Sequence, residues 1–258
     1  MEPSMIDATL NAIRAALEEN RIEEAIAALT DLHPVDRAEA FADLDDLDQA
    51  AILPQLNIND TADLLEELDD EEAADVAETL SMPFLADILD AMEPDEAADV
   101  LGDLPPRLAA DALAEMEESE DVIPLLVYPD ETAGGLMTTH LLTLNPGITT
   151  AEAIEYLRQT TLGSDTPYYL YVVEQDARLI GIVGLRDLVI ADPELKISEI
   201  MDHEVISAKT GLDQEAVARL MVRYDLAALP VVDDDGGLRG VITYDDLMDV
   251  IEDEATED

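Results

Sequence analysis

The N-terminal half of the chain has an apolar pattern that repeats every 12 residues. A series of large apolar residues consists of Leu32, Leu44, Leu56, Leu68, Leu80, Met92, Leu104 and Met116. An alanine series at the same spacing consists of Ala38, Ala50, Ala62, Ala74, Ala86, Ala98 and Ala110. Helix-breaking or helix-capping residues follow the large apolar residues, as in His33-Pro34 and Pro105-Pro106. We therefore predict a solenoid of helices of about nine residues each, in which alanine lets neighbouring backbones approach closely.

The C-terminal half contains a duplication. Residues 179–188 are echoed by residues 238–247 at an offset of 59, and Met137 matches Met201 at an offset of 64. Each copy predicts a short strand, a helix, two strands around a turn, and a second helix that an aspartate opens. A duplicated module of this kind, without a catalytic motif, indicates regulation rather than chemistry.

The first helices of the two copies are predicted at Thr149–Gln159 and Leu212–Arg223. The segment Val122–Thr138 joins the two halves, and its Pro and Gly residues break any regular element. The predicted fold class is therefore α+β: an all-α helical solenoid followed by a tandem pair of β-α-β-β-α modules.

The chain is strongly acidic. Its 258 residues include 63 Asp and Glu against 12 Lys and Arg, which gives a net charge of −51. Such a chain repels nucleic acid and anionic membrane surfaces. Two interpretations of the charge remain open. Adaptation to high salt explains best why the acids are spread along the whole chain, and cation binding is the alternative.

Several classes of site are excluded by residues that the sequence lacks. There is no Cys, hence no disulfide, thiolate metal site or Cys nucleophile. His33, His140 and His203 have no partner at metal-ligand spacing, and no nucleophile–base set or phosphate loop is present, so we do not expect an enzyme. There is no signal peptide and no apolar run of about 18 residues, so we expect a soluble, intracellular chain.

Aspartates also recur at the spacing of 12 residues. They are Asp63, Asp75, Asp87, Asp99 and Asp111. Asp95 and Glu71 lie at predicted helix starts, where the helix dipole favours an anion. A solvated helix face with capping residues would produce the same pattern, so the series alone does not predict a metal site.

The duplicated unit resembles a pair of CBS modules, which pack as two β-α-β-β-α copies with two clefts that often bind adenosine nucleotides. The signature of such a cleft is Gly-apolar-x-Thr/Ser-x-x-Asp. The second copy meets it in full with Gly240, Thr243 and Asp246. In the first copy Gly181 and Asp187 fit, but Gly184 stands in place of Thr or Ser. The alternative is that the glycine makes a turn and the aspartate caps a helix.

A narrower resemblance covers essentially the whole chain. The junction at residues 128–138, the sequence Leu-Arg-Asp-Leu at 185–188 and the acidic ending at 245–258 are similar to those of the MgtE family of magnesium channels and transporters. The resemblance implies three segments: a helical N domain at 1–130, a first CBS module at 131–198, and a second module with the start of a connecting helix at 199–258.

The family resemblance implies a Mg²⁺-sensing cytosolic regulatory region that closes on Mg²⁺ and thereby gates a pore. It also implies a homodimer through the CBS modules, a membrane pore domain that this chain lacks, and a position in the cytoplasm at the inner face of the membrane. Nucleic acid is not an expected partner. Mg²⁺ is the implied ligand, and ATP or another adenine nucleotide is the second one.

The resemblance also implies site residues. The metal-binding set carried over is Asp63, Asp95, Asp99, Glu215, Asp225, Asp246, Asp249, Glu254, Glu257 and Asp258. The nucleotide-binding set is Arg186, Asp187, Gly240, Thr243 and Asp246. The spacing agrees, because Asp246 and Asp249 fall on one face of a helix, where like charges are unfavourable unless a cation neutralises them. Mg²⁺ prefers oxygen ligands and keeps several waters, so one or two carboxylates per ion suffice.

Two other functions remain open from the sequence. One is an adenine-nucleotide-sensing CBS regulatory protein that acts on another partner. The other is an adaptor solenoid with a degenerate CBS pair, which is acidic only because its host is salty.

Overall fold

The computed structural model describes residues 3–160, 169–244, 247–248 and 250. The chain divides into two compact units, Met1–Pro124 and Leu125–Asp258. The first unit is helical and the second contains two small sheets with helices.

The helices of the first unit are short and follow one another closely. They are α1 (Pro3–Glu18), α2 (Ile22–Thr30), α3 (Pro34–Ala42), α4 (Asp46–Ile52), α5 (Ile58–Leu65), α6 (Asp70–Thr79), α7 (Met82–Leu89), α8 (Pro94–Asp103), α9 (Pro106–Glu115) and α10 (Ser119–Val122). A 3-10 turn at Leu53–Gln55 follows α4.

Helices α2 to α9 begin at residues 22, 34, 46, 58, 70, 82, 94 and 106, an interval of 12 residues. Local chemistry sets these starts. Proline is the first residue of α3, α8 and α9, where its missing amide hydrogen costs nothing. Asp45 and Asn57 cap α4 and α5 with side-chain oxygens that accept backbone amides of the first turn.

The helices pack in two rows. One row runs from α1 through α3, α5 and α7 to α9, and α8 packs between α6 and α10 in the other. The alanines of the 12-residue series in α3, α5, α6, α7 and α8 are buried, whereas Ala50 and Ala110 of the same series are exposed. The predicted role of alanine is therefore wrong at these two positions. Ala50 lies in α4, which is cut short by the 3-10 turn, and Ala110 lies in α9, where its row ends.

The second unit has two modules with the same order of elements. The first contains β1 (Thr143–Leu144), α11 (Thr150–Gln159), β2 (Tyr169–Val173), β3 (Leu179–Gly184), α12 (Leu185–Ile190) and α13 (Ile197–Ile200). The second contains β4 (Ala208–Lys209), α14 (Gln214–Tyr224), β5 (Ala228–Val232) and β6 (Leu238–Thr243). Helix α14 begins two residues after the predicted start, because the Leu212 amide is used in a turn to Lys209 and Asp213 takes the N-cap position.

The two sheets are copies in topology and in register. In each sheet the first strand pairs parallel to the second, and the second pairs antiparallel to the third. The register shifts between Val172 and Val173 in one sheet and between Val231 and Val232 in the other. The predicted fold class, a helical region followed by a pair of α/β modules, is confirmed.

Each module also forms a backbone bridge with a segment that leads into the other module. Thr138, which precedes β1, pairs with Val241 of β6, and Asp202, which precedes β4, pairs with Ile182 of β3. Each third strand is thus extended by the segment that leads into the other module.

Candidate functional site

The candidate metal ligands of the first unit lie on α5 and α8. Asp63 is half-buried in α5, and Asp99 is half-buried one turn after Asp95 in α8. Asp95 is only 7% exposed and lies in the first turn of α8, directly after Pro94. Like charges four residues apart on a helix repel each other. The positive end of the helix dipole also favours an anion at Asp95.

The ends of α5 and α8 are held together by a third carboxylate. Glu66, three residues after Asp63, accepts a hydrogen bond of 2.8 Å from the amide of Glu93, which immediately precedes Pro94. The structure therefore brings the carboxyl end of the helix that carries Asp63 to the amino end of the helix that carries Asp95.

Some acidic residues of the first unit stabilise the fold by accepting hydrogen bonds from backbone amides, a role that was not predicted from the sequence. Asp90 repeats the role of Glu66 after 24 residues: its carboxylate accepts hydrogen bonds of 2.8 and 3.0 Å from the amides of Glu117 and Glu118. Each of the two acids follows a helix and caps the backbone 27 residues later. Their interval of two repeats is the only signal in the sequence that could have identified them.

The described candidates of the second unit are Glu215 and Asp225, which lie at the two ends of α14. Glu215 lies in the first turn and forms an exposed ion pair of 2.5 Å with Arg219. Asp225 ends the helix in the left-handed conformation, with φ 53° and ψ 49°. A non-glycine residue in this region is uncommon, although aspartate tolerates it better than most residues.

The remaining metal candidates lie outside the described residues. They are Asp246, Asp249, Glu254, Glu257 and Asp258. Within the described part of the chain, no group of three or more His, Asp or Glu side chains is arranged to hold a metal ion. Mg²⁺ commonly keeps several waters, so it needs only one or two carboxylates from a protein.

The residues of the two nucleotide signatures differ in position and exposure. In the first module, Arg186 and Asp187 are exposed in the first turn of α12, and Gly184 is the N-cap of that helix. In the second module, Thr243 is half-buried at the end of β6. Asp246, its predicted partner in the signature, lies outside the described residues.

The glycines of the signature do not make a turn, so that half of the alternative is wrong. Its other half, a helix-capping aspartate, stays a prediction at Asp246, which lies outside the described residues. Gly240 and Gly181 lie inside β6 and β3. A Cβ at Gly240 would lie 2.6 Å from both Met137 Cγ and the Thr138 carbonyl oxygen. A Cβ at Gly181 would lie 2.8 Å from Met201 Sδ. Glycine is needed because the exchanged segments press against these strands.

A buried phenol between the sheets was also missed. Tyr171 on β2 is 1% exposed and packs with Ala228 and Val241 of the second module. Its hydroxyl finds no hydrogen-bond partner among the described residues. Burial raises the pKa of this phenol far above its usual range, so it stays neutral.

Family comparisons match both units. Residues 32–131 match the model of the MgtE intracellular N domain, and residues 133–194 and 197–253 each match that of the CBS domain. The magnesium transporter MgtE of Thermus thermophilus is 46% identical over 138 residues, which cover 54% of this chain and 31% of that protein. The chain thus spans about a third of the length of the curated relatives it matches.

Two solved structures match nearly the whole chain. The soluble part of a magnesium transporter is 32% identical, with a TM-score of 0.83 over 97% of this chain and 99% of that one. The cytosolic domain of the Mg²⁺ channel MgtE in complex with ATP is 34% identical, with a TM-score of 0.87 over 93% of this chain and 99% of that one. Among the described residues, no helix has the length and apolar character needed to cross a membrane.

Proposed function

The chain belongs to the MgtE family of magnesium channels and transporters, as predicted, and from this premise we propose that it is the Mg²⁺-sensing region of such a protein. It is not an enzyme, because the solved structures that match its full architecture are of a magnesium transporter and a Mg²⁺ channel. Mg²⁺ binding draws the helical domain and the CBS pair together and closes the pore to which they are joined.

The observation that carries this proposal is the pair Asp95 and Asp99 on α8. Asp95 is only 7% exposed in a chain of net charge −51. Asp99 lies one turn later on the same helix, and a divalent cation that binds both carboxylates offsets the repulsion between them. Weakly held Mg²⁺ with several waters needs only one or two carboxylates from each domain.

The full proposed metal-binding set is the one that the family resemblance implies. In the helical domain it comprises Asp63, Asp95 and Asp99. In the CBS pair and the ending it comprises Glu215, Asp225, Asp246, Asp249, Glu254, Glu257 and Asp258. Without Mg²⁺ these carboxylates repel one another and the closed arrangement is lost. A ligand that binds only the closed state shifts the population toward it.

An adenine nucleotide is the second proposed ligand, since the related cytosolic domain was solved in complex with ATP. We place it in the cleft of Gly240, Thr243 and Asp246, and the cleft of Arg186 and Asp187 is the weaker site. The alternative function, an adenine-nucleotide sensor that acts on another partner, would require nucleotide rather than Mg²⁺ to change the arrangement of the domains.

The proposed partners are a second copy of the chain and a membrane pore domain. Val189 and Ile190 on α12 are 70% and 71% exposed, and Val222 on α14 is 64% exposed. Apolar side chains at this exposure support an interface through the CBS modules. With its pore domain, the chain would lie in the cytoplasm at the inner face of the membrane. The division at 1–130, 131–198 and 199–258 belongs to the same proposal.

A titration with Mg²⁺ in a fixed high concentration of KCl tests the proposal. The radius of gyration should fall and the melting temperature should rise at millimolar Mg²⁺. K⁺ added to the same ionic strength should do neither, and if it does as much, the acidity is a general adaptation to salt. ATP and AMP in separate titrations test the alternative function.

A matched pair of variants assigns the response to particular carboxylates. Asp99→Asn should raise the Mg²⁺ midpoint several-fold. Asp111→Asn removes the same charge one repeat later, from an exposed side chain 3.9 Å from Arg107, and should leave the midpoint unchanged. Equal effects of the two variants would contradict the assignment of Asp99.

A further inference from the structure

Residues 131–138, here called the strap, join the first unit to the CBS pair and are bonded to the second module. The amides of Ala133 and Gly134 donate to the carbonyl oxygens of Leu212 and Thr210, at 2.7 and 2.8 Å. The amide of Gln214 donates to the carbonyl oxygen of Glu131 at 3.0 Å. These bonds attach the first part of the strap to the loop before α14 and to the start of that helix.

The last part of the strap is attached to β6 of the same module. Thr138 and Val241 exchange two backbone hydrogen bonds, of 2.9 and 3.0 Å. Met137 is 1% exposed and packs where a Cβ at Gly240 would otherwise lie. Ala133 is fully buried as well, so the strap is part of the core of the second module.

The route of the chain makes this attachment unusual. The strap is followed by β1 of the first module, yet its described contacts named above are all with the second module. Strand β6, which receives the strap, runs directly into Tyr244 and the helical residues after it. Those residues lead to the acidic ending that carries half of the proposed metal-binding set.

We propose that the strap fixes the helical domain to the second module, so that movement of the helical domain reaches β6 and the residues after it without passing through the strands and helices β1 to α13 of the first module. This proposal rests on the proposed function for its consequence, the gating movement. The attachment itself does not depend on Mg²⁺.

Two insertions of the same flexible Gly/Ser segment, of about ten residues, test the attachment. One follows Val127, between the helical domain and the strap. The other follows Thr139, between the strap and β1. The first insertion interrupts the turn from the Tyr128 amide to the Leu125 carbonyl oxygen. The second interrupts the turn from the Leu141 amide to the Thr139 carbonyl oxygen and also the bond from the His140 amide to Thr138 Oγ1. The insertions therefore match in length and composition, and the second is the more disruptive of the two locally.

The insertion after Val127 lengthens the tether and lowers the effective concentration of the helical domain, so the Mg²⁺ midpoint for compaction should rise several-fold. The insertion after Thr139 should leave the midpoint within about two-fold, because the strap still holds the helical domain to the second module. Equal shifts in the two variants would overturn the proposal.

Gly240→Ala and Gly181→Ala form a matched pair of variants. The first places a methyl group against Met137 and Thr138 of the strap, and the second places one against Met201 and Asp202, in the segment that leads into the second module. Added to the Thr139 insertion, Gly240→Ala should raise the Mg²⁺ midpoint to that of the Val127 insertion. Gly181→Ala displaces Met201 instead and should leave the midpoint unchanged. An equal effect of both glycine variants would count against the strap.

Hydrogen exchange provides a readout that needs no Mg²⁺. The amides of Ala133, Gly134 and Thr138 should be protected in the wild type and equally protected after the Thr139 insertion. Loss of their protection in that variant would overturn the proposal. A wild type that keeps this protection but does not respond to Mg²⁺ would contradict the proposed function while leaving the attachment intact.

Discussion

The carbonyl oxygen of Ala177 accepts a hydrogen bond of 2.9 Å from the amide of Leu238, which joins the hairpin turns of the two modules. The symmetric bond runs from the amide of Leu179 to the carbonyl oxygen of Gly236, at 3.1 Å. Ala177 and Gly236 hold the same position in the two copies, and both are left-handed, with φ 61° and 86°. Only the second copy has glycine at this position, the residue that adopts a left-handed conformation without steric cost.

Ala177→Gly should therefore stabilise the chain. The left-handed conformation costs an L-residue roughly 1–2 kcal/mol, and the added freedom of the unfolded glycine offsets about 0.5–1 kcal/mol of that gain. We expect the free energy of unfolding to rise by roughly 0.5–1 kcal/mol in denaturant titrations.

Gly236→Ala is the reciprocal control. The nearest atom to its new Cβ would be Arg178 Cγ at 3.8 Å, so the cost comes from the backbone alone. It should lower the free energy of unfolding by about 1 kcal/mol. A loss of stability in Ala177→Gly would show that alanine packing at this turn outweighs its backbone strain.

The duplication was visible in the sequence, but the exchange between its copies was not. Helix starts in the first unit could be predicted because caps and prolines act on the backbone next to them. The hydrogen bond that the Leu238 amide donates to the Ala177 carbonyl oxygen joins residues from different modules, so it depends on how the two sheets pack against each other. The same reason hid the contact of Gly240 with Met137, although the glycine itself was identified as part of a signature.

The candidate site was predicted from family motifs more than from physical pattern. Periodicity identified Asp63 and Asp99, yet it gave them the same standing as Asp111, which is exposed beside Arg107. Asp63 and Asp99 are half-buried whereas Asp111 is exposed, and this difference depends on how the helices pack. The hydrogen bond that the Glu93 amide donates to the Glu66 carboxylate joins residues 27 positions apart, so no local rule could identify it.

Tyr171→Phe should stabilise the CBS pair. The hydroxyl is buried and has no hydrogen-bond partner among the described residues, so its desolvation is not compensated. Removing it should raise the free energy of unfolding by about 1 kcal/mol in denaturant titrations. Tyr156→Phe, at an exposed ring on α11, serves as the control and should change nothing. A destabilised Tyr171→Phe would reveal a partner for this phenol.

Arg37 and Asp60 should respond unequally to substitution. Arg37 is buried, its contacts to Asp60 and Thr30 are 3.4 Å long, and its Nε finds no partner among the described residues. Asp60→Asn leaves this cation uncompensated and should cost about 2 kcal/mol of unfolding free energy. Arg37→Met should cost less than about 1 kcal/mol, because an apolar residue can replace a poorly bonded buried cation. The opposite ranking in denaturant titrations would mean that the long contacts carry more energy than their geometry suggests.

Asp233 should make stability depend on pH in the acid range. Its carboxylate accepts hydrogen bonds from the Gly237 amide and from Arg239, and these lower its pKa from the ordinary value of 3.8. A lowered folded-state pKa contributes stability that is complete above the unfolded-state pKa and is lost as the pH falls through the folded-state pKa.

The stability difference between the wild type and Asp233→Asn should thus be constant near neutral pH and should shrink below 3.8. Measuring the difference removes the general effect of protonating the other carboxylates. Asp234→Asn, at the exposed neighbouring residue, is the control. Its difference in unfolding free energy from the wild type should not shrink below pH 3.8 in the way expected for Asp233→Asn. A difference that grows toward acid pH would contradict the assigned sign.

Asp95 and Asp249 test whether the two domains share ions. Asp95 is buried at the start of α8, and Asp249 lies outside the described residues in the acidic ending. If one ion bridges them, either alanine substitution opens the same site, so the double variant should raise the Mg²⁺ midpoint for compaction little more than the stronger single one. Independent surface carboxylates would instead add their small separate effects.

Asp95→Ala combined with Asp111→Ala is the control, and those two changes should be additive because Asp111 is exposed beside Arg107. Additivity in the Asp95–Asp249 cycle would rule out a shared ion at this pair, even in a chain that otherwise responds to Mg²⁺.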